Sequence, residues 1–131
     1  MTDDLEKFTV KAMSEYLTGM GIYPNTAGYT YILESVCLAV KRGLRGLSIC
    51  KLYADVGKDA NKSGAAVERA IRNAICKCTD EGRMNTINEY FGHTVYSDRF
   101  PMRAGELICL FASKIIGDYA EIYEEYFSKS R

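Results

Sequence analysis

Apolar residues recur every three to four positions along most of the chain, and that period predicts helices. From Asp3 to Met20, residues Leu5, Phe8, Ala12, Met13, Tyr16, Leu17 and Met20 fall on one face. Asp3 and Asp4 suit the positive start of that helix, and Gly19, Gly21 and Pro24 stop it. A second helix is predicted from Thr26 to Arg42, with Tyr29, Ile32, Leu33, Val36 and Val40 inward, before Gly43 and Gly46 loosen the chain. Ser48 is a candidate N-cap for a third helix, Ile49 to Asp59. Ser63 can cap a fourth that reaches Lys77, its inward face carrying Val67, Ala70, Ile71 and Ala74. "TDEGR" reads as a turn, Asn85 to Phe91 as a short fifth helix with Ile87 and Phe91 inward, and "GHTVYSDRFP" as a loop. The last helix is predicted from Met102 to Phe127, striped by Leu107, Leu110, Phe111, Ile115, Tyr119, Ile122 and Tyr126. No segment alternates with period two, so the expected fold is all-α, with about six helices.

The third and fourth of these helices are separated by about three residues, the connection of a helix-turn-helix. Gly57 lets the two helices cross closely, and Asn61 tolerates the left-handed backbone of a tight turn. Val67 and Ile71 would anchor the second helix on the core. Ser63, Gly64, Ala65, Glu68, Arg69, Arg72 and Asn73 are then expected to face outward. Those residue types suit base reading: arginine bonds bidentately to guanine, asparagine to adenine, and glutamate accepts from cytosine. Lys58, Lys62, Ser63 and the helix start suit phosphates. An exposed helix with a Glu68–Arg72 pair at i,i+4 fits the same residues, so a helical protein-interaction module stands as the rival reading.

Charge shifts the balance between them. The chain has 17 Lys and Arg against 17 Asp and Glu. From Lys41 to Arg83, however, ten basic residues face five acidic ones, a net of +5, leaving −3 over residues 1–40 and −2 over 84–131. A basic middle third points to an anionic partner. At 131 residues, about half of them apolar, one domain spanning 1–131 is expected. The acidic start "MTDDLEKF" is no secretory signal, and no window is apolar enough for a membrane span. Five cysteines at irregular spacings, most at positions a helix would bury, suggest a reducing cytoplasm and no disulfide framework. Cys76 and Cys78 lack a second ligand pair, His93 stands alone in a loop, and no Walker-type glycine loop occurs. An enzyme, a metal site and a cofactor are therefore not expected. Tyr119, Tyr123, Tyr126 and Phe127 form an aromatic cluster expected to pack on the first helix, with a dimer surface as the other reading.

Three stretches carry a resemblance: "GYTYILESVCLAV", "KLYADVGKDANKSGAAVERAIRNAI" and "INEYFGHTV". In this order they resemble the C-terminal effector domain of the sporulation-initiation response regulator, stage zero sporulation protein A. The similarity runs from about Leu5 to Tyr119, and its most specific element is "VERAIR", Val67 to Arg72, the centre of that family's recognition helix. The resemblance implies a six-helix DNA-binding domain that regulates promoters, with Glu68, Arg69 and Arg72 on double-stranded DNA, RNA polymerase as a partner, and self-pairing on tandem sites. There are departures. The family usually has His where this chain has Asn73, and it is more polar where this chain has Gly64, Ala65 and Ala66. The family's phosphorylated receiver domain has no counterpart in these residues, so a lone effector domain is expected.

Overall fold

Four helices start on a side-chain oxygen. Asp3, Thr26, Ser48 and Ser63 accept from the backbone N–H groups of Glu6 (2.7 Å), Tyr29 (3.3 Å), Lys51 (3.3 Å) and Ala66 (3.1 Å). Each cap satisfies a donor that the first helical turn leaves unpaired, at about 1 kcal/mol apiece. The computed structural model describes residues 3–129, so residues 1, 2, 130 and 131, at the ends of the expected domain, lie outside it. Among the described residues the helices are α1 (Asp4–Gly19), α2 (Ala27–Arg42), α3 (Ile49–Asp59), α4 (Gly64–Asp80), α5 (Thr86–Phe91), α6 (Ala104–Asp118) and α7 (Ala120–Lys129). The all-α expectation is met.

α2 lies at the centre, with α1, α3, α4 and α6 all packed against it. Its Ile32, Val36, Ala39 and Val40 meet Met13 and Leu17 of α1, Leu52 and Val56 of α3, Val67, Ile71 and Ile75 of α4, and the α6 stripe Leu107, Ile108, Phe111, Ala112 and Ile115. One close approach sets α4 against α2. A Cβ added at Gly28 would lie 2.6 Å from the Ala74 Cβ and 2.9 Å from the Ala70 carbonyl oxygen. Gly28, Ala70 and Ala74 are small because two helix backbones nearly touch there.

In the fold itself the structure departs from the sequence expectations in several places. α4 runs on to Asp80, three residues past Lys77. The long C-terminal helix breaks: Tyr119 leaves helical geometry (φ −117°, ψ 39°), so α6 and α7 are separate and the helices number seven rather than six. A Cβ added at Gly117 would meet nothing within 4 Å, so no close approach requires glycine there, and it weakens the helix just before the break. The bend lays α7 back over α1, where Tyr119 stacks on Phe8 with ring centroids 5.2 Å apart. Of the aromatic cluster expected on the first helix, Tyr119 packs there, while Tyr123 and Phe127 lie against Gly43 at the end of α2. Third, Phe8 is half-exposed, and Thr9 takes the buried slot beside it, its hydroxyl donating to the Leu5 carbonyl at 2.7 Å. Fourth, Cys37 and Cys78 are buried, but Cys50 and Cys76 are exposed and Cys109 lies between. Burial pushes the Cys37 thiol up to about 12 and Cys78 to about 11.

Candidate nucleic-acid interface

The α3–α4 turn is built by two residues. The Lys62 N–H donates to the Gly57 carbonyl at 2.8 Å, and Asn61 sits at φ +55°, the left-handed conformation anticipated for it. A Cβ on Gly57 would strike the Lys62 carbonyl oxygen and come 3.2 Å from Val67 Cγ2. Only glycine permits this crossing without a shift. Gly64 proves to serve the same crossing. Its added Cβ would lie 3.0 Å from the Ala54 backbone nitrogen, so it faces α3 and not outward as expected.

With Val67, Ile71 and Ile75 held in the core, the opposite side of α4 is exposed. Ala65, Arg69, Arg72 and Cys76 follow one another at helical spacing down its middle, and all four are exposed. Glu68 and Asn73 occupy opposite edges of this stripe. Glu68 is partly buried on the α3 side and pairs with Arg72 at 3.4 Å, the side chains 34% and 56% exposed respectively. Asn73 lines a groove of about 380 Å³ with Tyr23, Asn25, Gly28 and Lys77, on the side of the α1–α2 loop. The four expected base readers thus share one helix, but only Arg69 and Arg72 stand at its centre.

Internal pairing sorts the cations of the basic middle third. Lys41 pairs with Glu6 at 3.0 Å, Arg83 donates to the Gly19 carbonyl at 2.8 Å, and Arg42 and Lys58 share the Asp55 carboxylate. The hydrogen bond from Arg42, and after it that from Lys58, holds the Asp55 carboxyl below its usual range. Lys58, expected on phosphate, is thus turned toward Asp55 at 3.4 Å, although its side chain is 77% exposed. Such an exposed pair is weakly held in water and is readily exchanged. Arg45, Lys51, Lys62, Arg69 and Lys77 are exposed and have no ion pair among the described residues. Ser63 Oγ accepts from the Ala66 N–H, which leaves its hydroxyl hydrogen available to an outside acceptor.

Arg45 lies on the turn that Gly43 and Gly46 loosen, and Lys51 is a residue the sequence reading passed over. Both line a cleft of about 330 Å³ with Gly43, Gly46, Leu47 and Ser48 at the start of α3. The signal was there to be read. Lys51 sits in a first helical turn that contains no acidic residue, where the helix dipole disfavours a cation. Beneath the candidate interface, the buried Tyr53 hydroxyl has no hydrogen-bond partner among the described residues. Burial first, then the Glu68 charge, pushes it up to about 12. Among the described residues no group of three or more His, Cys, Asp or Glu could hold a metal ion, and no helix is long and apolar enough to cross a membrane.

The family model described as sporulation initiation factor Spo0A C terminal matches residues 13–115. That span holds all of α2 to α5, with the helix-turn-helix, and most of α6, but neither the start of α1 nor α7. No solved structure matches the chain.

Proposed function

The chain belongs to the Spo0A C-terminal family, DNA-binding regulators of sporulation initiation rather than enzymes, and from that premise we propose that it binds DNA sequence-specifically and regulates transcription. α4 enters the major groove. Arg69 and Arg72 read guanine, while Glu68 and Asn73, at the edges of the stripe, read cytosine and adenine. Lys58, Lys62 and Ser63 hold phosphates, and Arg45 and Lys51 add a second backbone contact at the start of α3. The observation that carries this reading is the exposed Arg69 at the centre of the second helix of the pair, which like Arg45, Lys51, Lys62 and Lys77 of the basic middle third has no ion pair among the described residues. The site of action is the cytoplasm, and RNA polymerase is the protein partner.

Selection of binding sites from random duplexes, followed by a salt titration on the winner, tests the proposal. The logarithm of affinity should fall linearly with that of salt, with a slope near −0.9 per phosphate contacted. One observation favours the rival reading, a protein-interaction module: Glu68 already occupies Arg72. That reading predicts no enriched site and a shallow slope.

Asn73 gives a finer test. It stands where the resembled family has His, and its groove-edge position lets it reach one base step from the side. Asn73→His is expected to change the preferred base at one position of the selected site and to leave non-specific affinity nearly unchanged. If both proteins select the same sites, Asn73 does not read DNA.

One helix-turn-helix covers one half-site, and two copies on adjacent sites gain effective concentration from each other. The protein is accordingly expected to sediment as a monomer at micromolar concentration and to fill tandem sites cooperatively. Equal affinity per site on single-site and two-site duplexes, or a stable dimer without DNA, rules this out.

A further inference from the structure

α7 lies beyond the residues matched by the family, and none of its side chains is fully buried, yet it closes on one point of the chain. The Phe8–Tyr119 stack fixes its start. Tyr123 and Phe127, ring centroids 4.6 Å apart, then reach the far end of α2. A Cβ built on Gly43 would lie 3.3 Å from the Tyr123 hydroxyl and 4.0 Å from Phe127 Cζ. Gly43 is where the chain leaves α2, at φ +79° and ψ 157°, a conformation that side chains other than glycine's rarely adopt. Arg45 follows two residues later, and then Gly46 at φ +73°, where an added Cβ would meet nothing within 4 Å. Arg45 therefore rides on a turn with two glycine joints. Rings of α7 cover the first joint, and the second is open.

The geometry points to Tyr123 and Phe127 as positioning residues for DNA binding: they brace the Gly43 joint so that Arg45 already faces the duplex beside Lys51 and Ser48. This inference rests on the DNA-binding reading above. Without the brace, the turn would have to be ordered on binding, and that lost freedom would subtract from affinity. α7 is not suited to touch DNA itself. It carries Glu121, Glu124 and Glu125 against Lys129, a net of −2, which a phosphate backbone repels. Its effect must pass through the turn.

Tyr123→Ala in the full chain, measured on the selected duplex, tests this. Affinity is expected to fall by roughly threefold to tenfold with an unchanged salt slope, because the phosphates contacted are the same. Arg45→Ala should instead flatten that slope by about one unit. With Arg45 already removed, Tyr123→Ala should have almost no further effect, the coupling expected when one residue acts through the other. Tyr123→Phe keeps the ring beside Phe127 but removes the hydroxyl that lies against Gly43, so it should lose part of the affinity that Tyr123→Ala loses. Amide exchange at residues 44–48 should quicken in Tyr123→Ala while the core stays protected. Phe127→Ala gives the same readings should Tyr123→Ala fail to fold. Unchanged affinity, full additivity with Arg45→Ala, or a salt slope flattened by Tyr123→Ala itself overturns the brace. If the unsubstituted protein binds no duplex, the DNA-binding reading falls. Amide exchange then decides the brace alone, and unchanged exchange at 44–48 overturns it.

Discussion

Replacing Arg72 with alanine is expected to weaken binding to a selected duplex more than replacing Arg69, although both arginines lie on the same exposed stripe. Each loses a bidentate base contact worth about 1–3 kcal/mol, a factor of roughly five to a hundred and fifty. Arg72→Ala has a second consequence. Glu68 now pairs with Arg72 at 3.4 Å, and without that arginine its carboxylate faces the phosphates uncompensated. Glu68→Gln added to Arg72→Ala should therefore recover part of the loss, whereas Glu68→Gln added to Arg69→Ala should recover little. Lys62→Ala makes the contrast. Lys62 is exposed in the turn with no ion pair among the described residues, so its loss should weaken all sequences alike and reduce the salt slope. Equilibrium titrations of these variants on selected and scrambled duplexes supply every number needed. If neither arginine variant changes affinity for the selected site while helicity is retained, α4 is not the reading helix.

The largest stability effect is expected at Phe111. Its side chain is fully buried, and its ring lies 5.4 Å from that of Tyr16, 5.8 Å from Phe91 and 6.5 Å from Tyr90. It joins α6 to α1 and α5, and no neighbour can relax into the space it would leave without breaking ring contacts. Phe111→Ala should destabilise by about 3–5 kcal/mol, a large part of the 5–15 kcal/mol that holds a typical domain folded. Phe8→Ala should cost clearly less, because that ring is half-exposed and contacts chiefly Tyr119. Denaturant unfolding checks both through the midpoint at constant slope. Equal losses at the two positions would contradict the core described above.

Much of this molecule is legible from neighbouring residues. The caps at Ser48 and Ser63 are, because a cap is a bond between a side chain and an N–H three residues on. The turn at Asn61 is, because few residues tolerate its backbone. Inward Val67 and Ile71 follow from helical period alone. With Gly57 they were enough to align α3 and α4 and to put Arg69 and Arg72 outside. Other features depended on partners far along the chain. Gly64 reads as a small outward residue until Ala54 is seen 3.0 Å from where its Cβ would be. Lys58 reads as free although Asp55 stands only three residues away in the same helix; what its neighbours do not show is that Arg42 of the preceding helix holds that carboxylate. Ile115, Tyr119, Ile122 and Tyr126 keep helical period straight through the break, so periodicity could not show it. The stack of Tyr119 on Phe8, more than a hundred residues earlier in the chain, accompanies the bend. Period and capping are settled within about four residues, so sequence by itself determined the first four helices, their starts and the outward arginines. Which flank Glu68 and Asn73 occupy, which cations remain unpaired and where the last helix turns back depend on surfaces that meet only once the helices have packed, and those only the tertiary structure decided.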